Sequence, residues 1–391
     1  MRLKLLVVPK WYPWPEHPVF GIFCREHARA LATRHEVVVL ASLATHSPGF
    51  LLFDLTDEME DGLRTMRVRY RRPWFRPAAM GCQLLGMLAA LWRLRREGFR
   101  PDVVHAHVFS AALPALALGR LSRSTVAVTE HYTGFQRGLV RGADRLVARI
   151  AFSKADVVAP VSEDLAAHLR RIAPGANLRV MPNTVDTRAF SSAEHPRHDG
   201  PARLLCVGAL AEKKGHADLL AAVAGLIPRR DVVLDLVGDG ELRGELERSA
   251  VELGVSERVR FHGEVPKERV AELMRAADLF VLPSLHETFG CVLIEAMASG
   301  LPAVATRVGG VPEVLDPRAG SLVAPRDPVA LAQAIEEQID RSFDPRELAR
   351  ITEERYGYEA FAKAWTELYE ELASRRGSTS SATRRRSASS R

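Results

Sequence analysis

The sequence predicts an α/β protein made of two Rossmann-like, doubly wound parallel-sheet domains that face a central cleft. Three observations carry that expectation. Short apolar runs alternate with segments of helical pattern, the signature of βαβ units. The alternation runs through the chain twice, and a polar, breaker-rich stretch, Ser191-Ser-Ala-Glu-His-Pro-Arg-His-Asp-Gly200-Pro201, separates the two series. A length of 391 residues, 47% hydrophobic and 26% charged, suits two domains of ordinary composition.

In the first series the expected strands are Leu3–Val8, Val37–Ala41, Met66–Tyr70, Val103–His107, Thr125–Thr129, Val157–Pro160 and Arg179–Pro182. In the second they are Leu204–Gly208, Val232–Gly238, Val259–His262, Leu279–Pro283 and Pro302–Thr306, each followed by a helix-compatible segment. The division that results is an N-terminal domain over 1–190, a linker over 191–200 and a C-terminal domain over 201–356. Residues 357–373, GYEAFAKAWTELYEELA, read as one amphipathic helix, placed to cross back to the N-terminal domain. The Ser/Arg-rich stretch 374–391 has almost nothing to bury and is expected to be disordered.

Composition removes several function classes. Cys24, Cys82, Cys206 and Cys291 lie far apart, without a CxxC pair, which suits a reduced, cytoplasmic compartment rather than a zinc site or a disulfide framework. The first apolar run is only six residues before a proline, too short for a signal peptide. The longest apolar stretch, Met80 to Leu94, is interrupted by Gln83, two glycines and Arg93.

The formal charge of +6 hides two domains of opposite sign: residues 1–190 hold 27 Lys and Arg against 16 Asp and Glu, and residues 191–373 hold 21 against 32. Much of the N-terminal surplus falls at Arg64, Arg67, Arg69, Arg71, Arg72, Arg76, Arg93, Arg95, Arg96 and Arg100, interleaved with Tyr70, Trp74, Phe75 and Trp92. That mixture fits peripheral contact with anionic lipid at the inner face of a membrane; a solvated helix face without a partner is the plainer alternative. No nucleic-acid recognition motif accompanies the charge, so nucleic acid is not expected as a partner.

Doubly wound sheets bind ligands beyond the carboxyl ends of their strands. The segment Ser284-Leu-His-Glu-Thr-Phe-Gly-Cys-Val-Leu-Ile-Glu-Ala-Met-Ala-Ser-Gly300 follows a strand and opens a helix, whose unpaired N–H groups suit anionic or hydroxyl-rich ligands. Glu287 and Glu295 would stand ~12 Å apart if the whole stretch were helical. Hydrolytic carboxylate pairs sit at roughly 5–9.5 Å, so these two are better placed to hold separate ends of an elongated ligand. A capping carboxylate and an exposed helical glutamate are the bland alternative for either one alone.

The stretch HETFGCVLIEAMASGLPAVATRVGGVPEVL resembles the donor-site signature of glycosyltransferase family 4, with its E-x7-E spacing. Other pieces follow in the family's order: Trp11 to Gly21 with Arg25-Glu26-His27, Asp102 to His107, Thr129-Glu-His131, Met181 to Asp186, Val207-Gly208 through Lys214-Gly215-His216, Val237-Gly-Asp-Gly240 and Arg260-Phe-His-Gly263. The resemblance implies the GT-B fold and a retaining, metal-independent hexosyltransferase without a cofactor. Its donor would be a UDP- or GDP-linked sugar and its acceptor a glycan or a lipid-linked molecule.

Carried over residue by residue, the resemblance makes Glu295 the acceptor of ribose hydroxyl hydrogen bonds and sets Glu287 beside the donor sugar. Phe289 and Gly290 would offer backbone N–H groups, Lys214 would neutralise the diphosphate, and Gly21 would let the first loop approach it. His131 would stand against the reacting sugar as a hydrogen-bonding or positioning group rather than as a general base. His105 and His107 are read as pointing to opposite faces of their strand, Glu130 as structural, and Ser162 and Asn183 as caps or braces. One departure is Ala209, where many relatives carry arginine; Lys213 could replace that phosphate contact. A nucleotide-binding dehydrogenase is disfavoured because Gly238-Asp-Gly240 is followed by Glu241, and a sugar-nucleotide epimerase or a non-catalytic polyanion binder remain the alternatives.

Overall fold

The computed structural model describes residues 2–17, 19–46, 49, 52–73, 75–192 and 200–388. Among these, the first sheet contains β1 (Lys4–Pro9), β2 (Glu36–Thr45), β3 (Phe53–Glu60), β4 (Leu63–Arg71), β5 (Val103–His107), β6 (Thr125–Glu130) and β7 (Val157–Pro160), in the order β3-β4-β2-β1-β5-β6-β7. The second contains β8 (Ala202–Val207), β9 (Val232–Val237), β10 (Val259–Gly263), β11 (Leu279–Leu282), β12 (Ala303–Thr306) and β13 (Gly320–Val323), in the order β10-β9-β8-β11-β12-β13. All neighbours pair in parallel except β3 with β4. With the β3–β4 hairpin set aside, both sheets run outward from a central first strand in two directions, so each has a switch point, at β1/β5 and at β8/β11. The α/β, doubly wound class expected from the sequence is the class observed.

Several details differ from the sequence reading. The strand expected at Arg179–Pro182 is not a regular one: Leu178 makes an isolated bridge to Val158, and the segment stays beside β7 through the N–H groups of Arg179 and Met181, which donate to the carbonyls of Val158 and Pro160 at 3.0 Å each. Strand β3 was not expected, because FDLTDEME is mostly polar overall, although Phe53, Leu55 and Met59 share one face and the first two pack against the core. Its signal was the Asp61-Gly62 dipeptide, with φ of 49° and 82°, which closes the hairpin with the twist that two-residue turns require. Strand β13 is four residues long; a Cβ on its Gly320 would stand 1.7 Å from the Ala303 carbonyl oxygen, so only glycine pairs there. Of the expected linker, residues 193–199 lie outside the described residues.

Two crossings join the domains. The Val185 N–H and the Thr184 hydroxyl donate to the Tyr356 carbonyl, at 2.9 and 2.7 Å. One residue later the terminal helix, Tyr358–Ala388, turns back onto the N-terminal domain. The tail expected to be disordered from 374 is therefore helical as far as Ala388, since extending a helix that is already nucleated is cheap and Gly377 is the sole strong helix breaker in that extension. The helix enters the N-terminal core with Phe361, Trp365, Leu368, Tyr369 and Leu372. Trp365 is fully buried, 4.4 Å from the His105 ring, and Tyr369 Oη is hydrogen-bonded to His105 Nδ1 at 2.7 Å.

The helix therefore belongs to the N-terminal core. Trp365→Ala is expected to cost about 3–5 kcal/mol in chemical denaturation. Trp365 Nε1 has no hydrogen-bond partner, so Trp365→Phe removes an unsatisfied donor along with volume and should cost clearly less. Equal losses for the two variants would contradict this account.

Candidate functional site

The site is built on loops that follow β8 and β11. After β8 a short 3₁₀ turn, Glu212–Lys214, ends at Gly215 with φ of 66°. A Cβ there would lie 2.1 Å from the Pro283 carbonyl oxygen, so glycine is what lets this turn press against the end of β11. The Lys213 carbonyl then accepts from the N–H groups of Leu285 and His286, at 2.8 and 3.1 Å. The result sets the Lys214 ammonium 2.6 Å from Glu287 Oε2. Burial lowers the lysine's proton affinity, but the charge and hydrogen bond of Glu287 outweigh it, and its pKa is raised. The Lys213 ammonium is instead lowered, by burial first and then by the Lys214 charge.

The E-x7-E segment is helical only from Cys291 to Ala298. Glu287 thus rides on the loop and Glu295 on the helix, and the fully helical spacing does not apply. Gly290, with φ of 92°, forms the junction, and Phe289 is buried edge-on to Tyr356 at 5.7 Å. Among the described residues no hydrogen bond engages the N–H of Phe289 or Gly290. Glu295 is half-buried; burial pushes its carboxyl up to about 8, with Lys267 opposing and Glu26 reinforcing the shift.

The N-terminal domain meets this surface with the helix Ile22–Ala32. Its cap, Gly21, has φ of 73°, and a Cβ there would sit 2.3 Å from the Trp11 carbonyl carbon. His131 follows β6, buried against Phe23 at 4.7 Å and hydrogen-bonded through Nε2 to His107 Nδ1 at 3.1 Å. His105 and His107 share one face of β5, stacked at 4.7 Å, which corrects the expectation of opposite faces. Residues i and i+2 of a strand point the same way. With His27 they form a buried group of four imidazoles; burial holds all four below the usual histidine range, His27 and His105 near about 3.

The remaining polar residues hold this frame. Glu130 Oε2 accepts from Phe109 N–H, and its Oε1 accepts from the N–H groups of His131 and Tyr132, at 2.8 to 2.9 Å. Burial nevertheless pushes its carboxyl up to about 7, against the effect of these bonds. Ser162 Oγ caps the helix Glu163–Ile172, accepting from Leu165 N–H at 3.2 Å, and Asn183 Oδ1 is bonded to His27 Nε2 at 2.9 Å. Gly238-Asp-Gly240 forms a turn against the end of β8: a Cβ on Gly238 would meet the Gly208 oxygen at 2.1 Å.

Sequence reasoning missed the residues that close the cleft. The Thr288 hydroxyl donates to the His131 carbonyl at 3.1 Å, and Gln136 Nε2 donates to the Glu287 carbonyl at 3.1 Å and also to Asp164. Glu313 accepts from the N–H groups of Glu163 and Asp164 at 2.7 and 3.0 Å. Lys267 bonds Glu26 at 2.7 Å and Asp186 at 3.4 Å, while the Tyr358 hydroxyl donates to the same Glu26 oxygen. None belongs to a local motif; each pair is separated by about 80 residues or more except Gln136 with Asp164. In this closed arrangement a cavity of only 120 Å³ stands between Gln136, Asp164, His286, Glu287 and Gly309. A larger one, 630 Å³, opens beside the chain crossing at Arg29, Asp186 and Tyr358, and none of the sequence-predicted site residues lines it.

Comparison with known proteins fits both halves of this site. Residues 201–341 match the family described as "Glycosyl transferases group 1", and residues 21–184 match "Glycosyl transferase 4-like domain". A "Glycogen synthase" of Mycobacterium tuberculosis is 30% identical over 96% of both chains. A "D-inositol 3-phosphate glycosyltransferase" of Streptomyces scabiei is 35% identical over 59% of this chain and 54% of its own. Among solved structures, HepE of Anabaena in complex with UDP and glucose superposes with a TM-score of 0.73 at 18% identity, covering 95% of this chain and 100% of its own.

The raised Glu295 carboxyl has a defined effect on stability. An unfolded glutamate titrates near ~4.3, and the folded one near about 8, so the folded protein holds the extra proton between those values. The stabilisation from Glu295 is complete below the lower value and is lost as pH rises through the window. Glu295→Gln should therefore remove one component of the fall in thermal midpoint between about pH 5 and pH 8, read by differential scanning fluorimetry; parallel profiles for the two proteins would refute it.

Proposed function

The chain belongs to the glycosyl transferases group 1 family and is a glycosyltransferase of the GT-B kind, and on that premise we propose that it is a retaining enzyme taking a UDP- or GDP-linked sugar to a glycan or lipid-linked acceptor. The observation that carries this reading is the part-buried Lys214–Glu287 pair, 2.6 Å apart, on the loops after β8 and β11, where the neighbouring Thr288 bonds the His131 carbonyl of the N-terminal domain. An acceptor hydroxyl attacks the anomeric carbon, the bond from that carbon to the diphosphate oxygen breaks, and the diphosphate leaves with the electron pair. The hydroxyl proton passes to the departing oxygen on the same face of the sugar, which retains configuration.

Each residue has a part in that reaction. Lys214 exchanges Glu287 for the diphosphate and takes up its developing charge, aided by the N–H groups of Phe289 and Gly290 and by the close backbone at Gly21. This donor set does the work a divalent cation does elsewhere, so transfer needs no metal; full activity in EDTA is the expected result. With Ala209 unable to contact phosphate, Lys213 lies next in line. Glu287, released from Lys214, positions the donor sugar, and Glu295 accepts from the ribose hydroxyls. His131, held neutral by burial, supplies a hydrogen bond and not a proton in transit.

The donor class is supported by HepE, solved with UDP and with UDP-glucose. The acceptor belongs to the N-terminal domain, which forms the basic half. Its helix Arg76–Arg96 exposes Met80, Leu85 and Trp92 beside Arg93, Arg95 and Arg96, and Phe75 at its cap, a surface suited to an anionic membrane and a lipid-linked acceptor for cell-surface polysaccharide or glycolipid. No helix among the described residues is long and apolar enough to cross a membrane. The four cysteines are free, which suits a reducing cytoplasm.

A thermal-shift panel of sugar nucleotides tests the donor: one UDP- or GDP-sugar at 100 times its dissociation constant should add ~2.7 kcal/mol of stability, and a flat response across the panel would sink the reading. With that donor, Glu287→Gln should lower kcat by about 100-fold or more while changing donor affinity only a few-fold. Unchanged turnover would remove Glu287 from its role.

A further inference from the structure

The histidine cluster carries a feature that sugar transfer does not use. Cys24 lies in the first turn of the helix Ile22–Ala32, His107 at the end of β5 and His131 just beyond β6. Their ligand atoms lie within 4.8 Å of one another, and all three side chains are buried. Parallel pairing of β5 with β6 aligns His107 with Thr129, so His131 follows two residues on and its ring stacks on that of His107, 14° from parallel.

Two buried nitrogens here have no partner, His107 Nε2 and His131 Nδ1. An unsatisfied buried polar atom is costly and calls for an explanation. His105, two residues back along the strand, shows the contrast: both its nitrogens are engaged, with Thr129 at 2.7 Å and Tyr369 at 2.7 Å. The packed histidine is fully satisfied, whereas of the two beside Cys24, which bond to each other, His107 keeps Nε2 unpaired and His131, whose imidazolium Asn183 would favour, keeps Nδ1 without a partner in hydrogen-bond geometry.

We propose that Cys24, His107 and His131 form a binding site for one soft divalent ion of the zinc type, and that the bound ion withdraws His131 from the cleft and inhibits transfer. A thiolate with two imidazoles is a donor set that such ions favour. Zinc bonds of roughly 2.3 Å to sulfur and 2.0–2.1 Å to nitrogen require ligand atoms about 3.4–3.6 Å apart in a tetrahedron. Side-chain rotation closing the present spacing by about 1 Å supplies that. Binding releases the Cys24 thiol proton to solvent and uses one lone pair from each neutral imidazole, so the ion and its ligands together gain one positive charge. The Glu130 carboxyl, bonded to the His131 N–H, stands next to the site to balance it. The fourth position is left to water.

The ion site rests on this geometry alone; the inhibition rests also on the proposed position of His131 against the donor sugar, and the experiment separates the two. EDTA-treated protein is titrated with Co²⁺, reading thiolate-to-cobalt charge-transfer absorption, and then with Zn²⁺ in competition. Wild type should bind one equivalent with the charge-transfer band, and Cys24→Ala should lose the band and bind at least tenfold more weakly while keeping its circular dichroism and its metal-free activity. His107→Gln, which retains Cys24, should weaken binding to a similar degree and provides a second variant should Cys24→Ala fold poorly. No band in wild type, or a Cys24→Ala titration that matches wild type, overturns the site. Zn²⁺ should inhibit donor turnover in wild type at one equivalent and spare Cys24→Ala. Binding without inhibition upholds the ion site and overturns its effect on transfer, together with the placement of His131 at the sugar.

Discussion

The part-buried ion pair of Lys214 and Glu287 is the interaction on which the rest of the structure turns. Removing two charges from water costs more than their mutual attraction readily returns, and such a pair seldom persists for stability alone. Here it is held by backbone that tolerates little change: Gly215 pressed on the end of β11, and the Lys213 carbonyl tied to the loop that carries Glu287. On the proposed reading, the Lys214 ammonium is the cation that the leaving diphosphate would take from the carboxylate.

That exchange bears on the whole cleft because Glu287 is also an anchor between domains. Its carbonyl accepts from Gln136, and its neighbour Thr288 bonds the carbonyl of His131. At the far end Lys267 joins Glu26 and Asp186, and Tyr358, at the start of the returning helix, bonds Glu26 as well. One carboxylate thus ties together the N-terminal helix, the C-terminal domain and the chain crossing. Glu295 feels the charges of both Lys267 and Glu26, so its carboxyl, raised mainly by burial, also senses this ion pair between the domains.

The sequence carried the parts of this fold whose signals are local. Strands β5 and β7 stand at the residues expected, because runs such as VVHAH between polar breakers have few alternatives inside a parallel sheet. Strand β3 escaped because four of its eight residues are acidic and mask the alternation of Phe53, Leu55 and Met59, and Arg179–Pro182 lies along the edge of β7 with two backbone hydrogen bonds but no regular ladder. Lys214 and Glu287, singled out in two separate stretches of the sequence, do meet. The pairs Lys267–Glu26 and Thr288–His131 were not legible, since they depend on how two separately folded sheets are set against each other, which no periodicity encodes. The shared face of His105 and His107 was legible and was misread: period two places them together.

The four buried imidazoles show how one environment can decide the chemistry of a cleft. Burial dominates the shift in every one of them, and for His107 and His131 the neighbouring rings add to it, because protonating one makes protonating the next harder. A neutral imidazole at working pH can donate from one nitrogen and accept at the other, or give a lone pair to a metal, but it has no proton to spare for a leaving group. Phosphate leaving groups need none from the protein, since their charge can be met by fixed cations and backbone N–H groups. On the proposed reading, the cluster would offer neutral hydrogen-bonding groups from the N-terminal domain, while Lys214 of the other domain meets the leaving diphosphate. Chemistry of that division becomes possible only when the two are brought together.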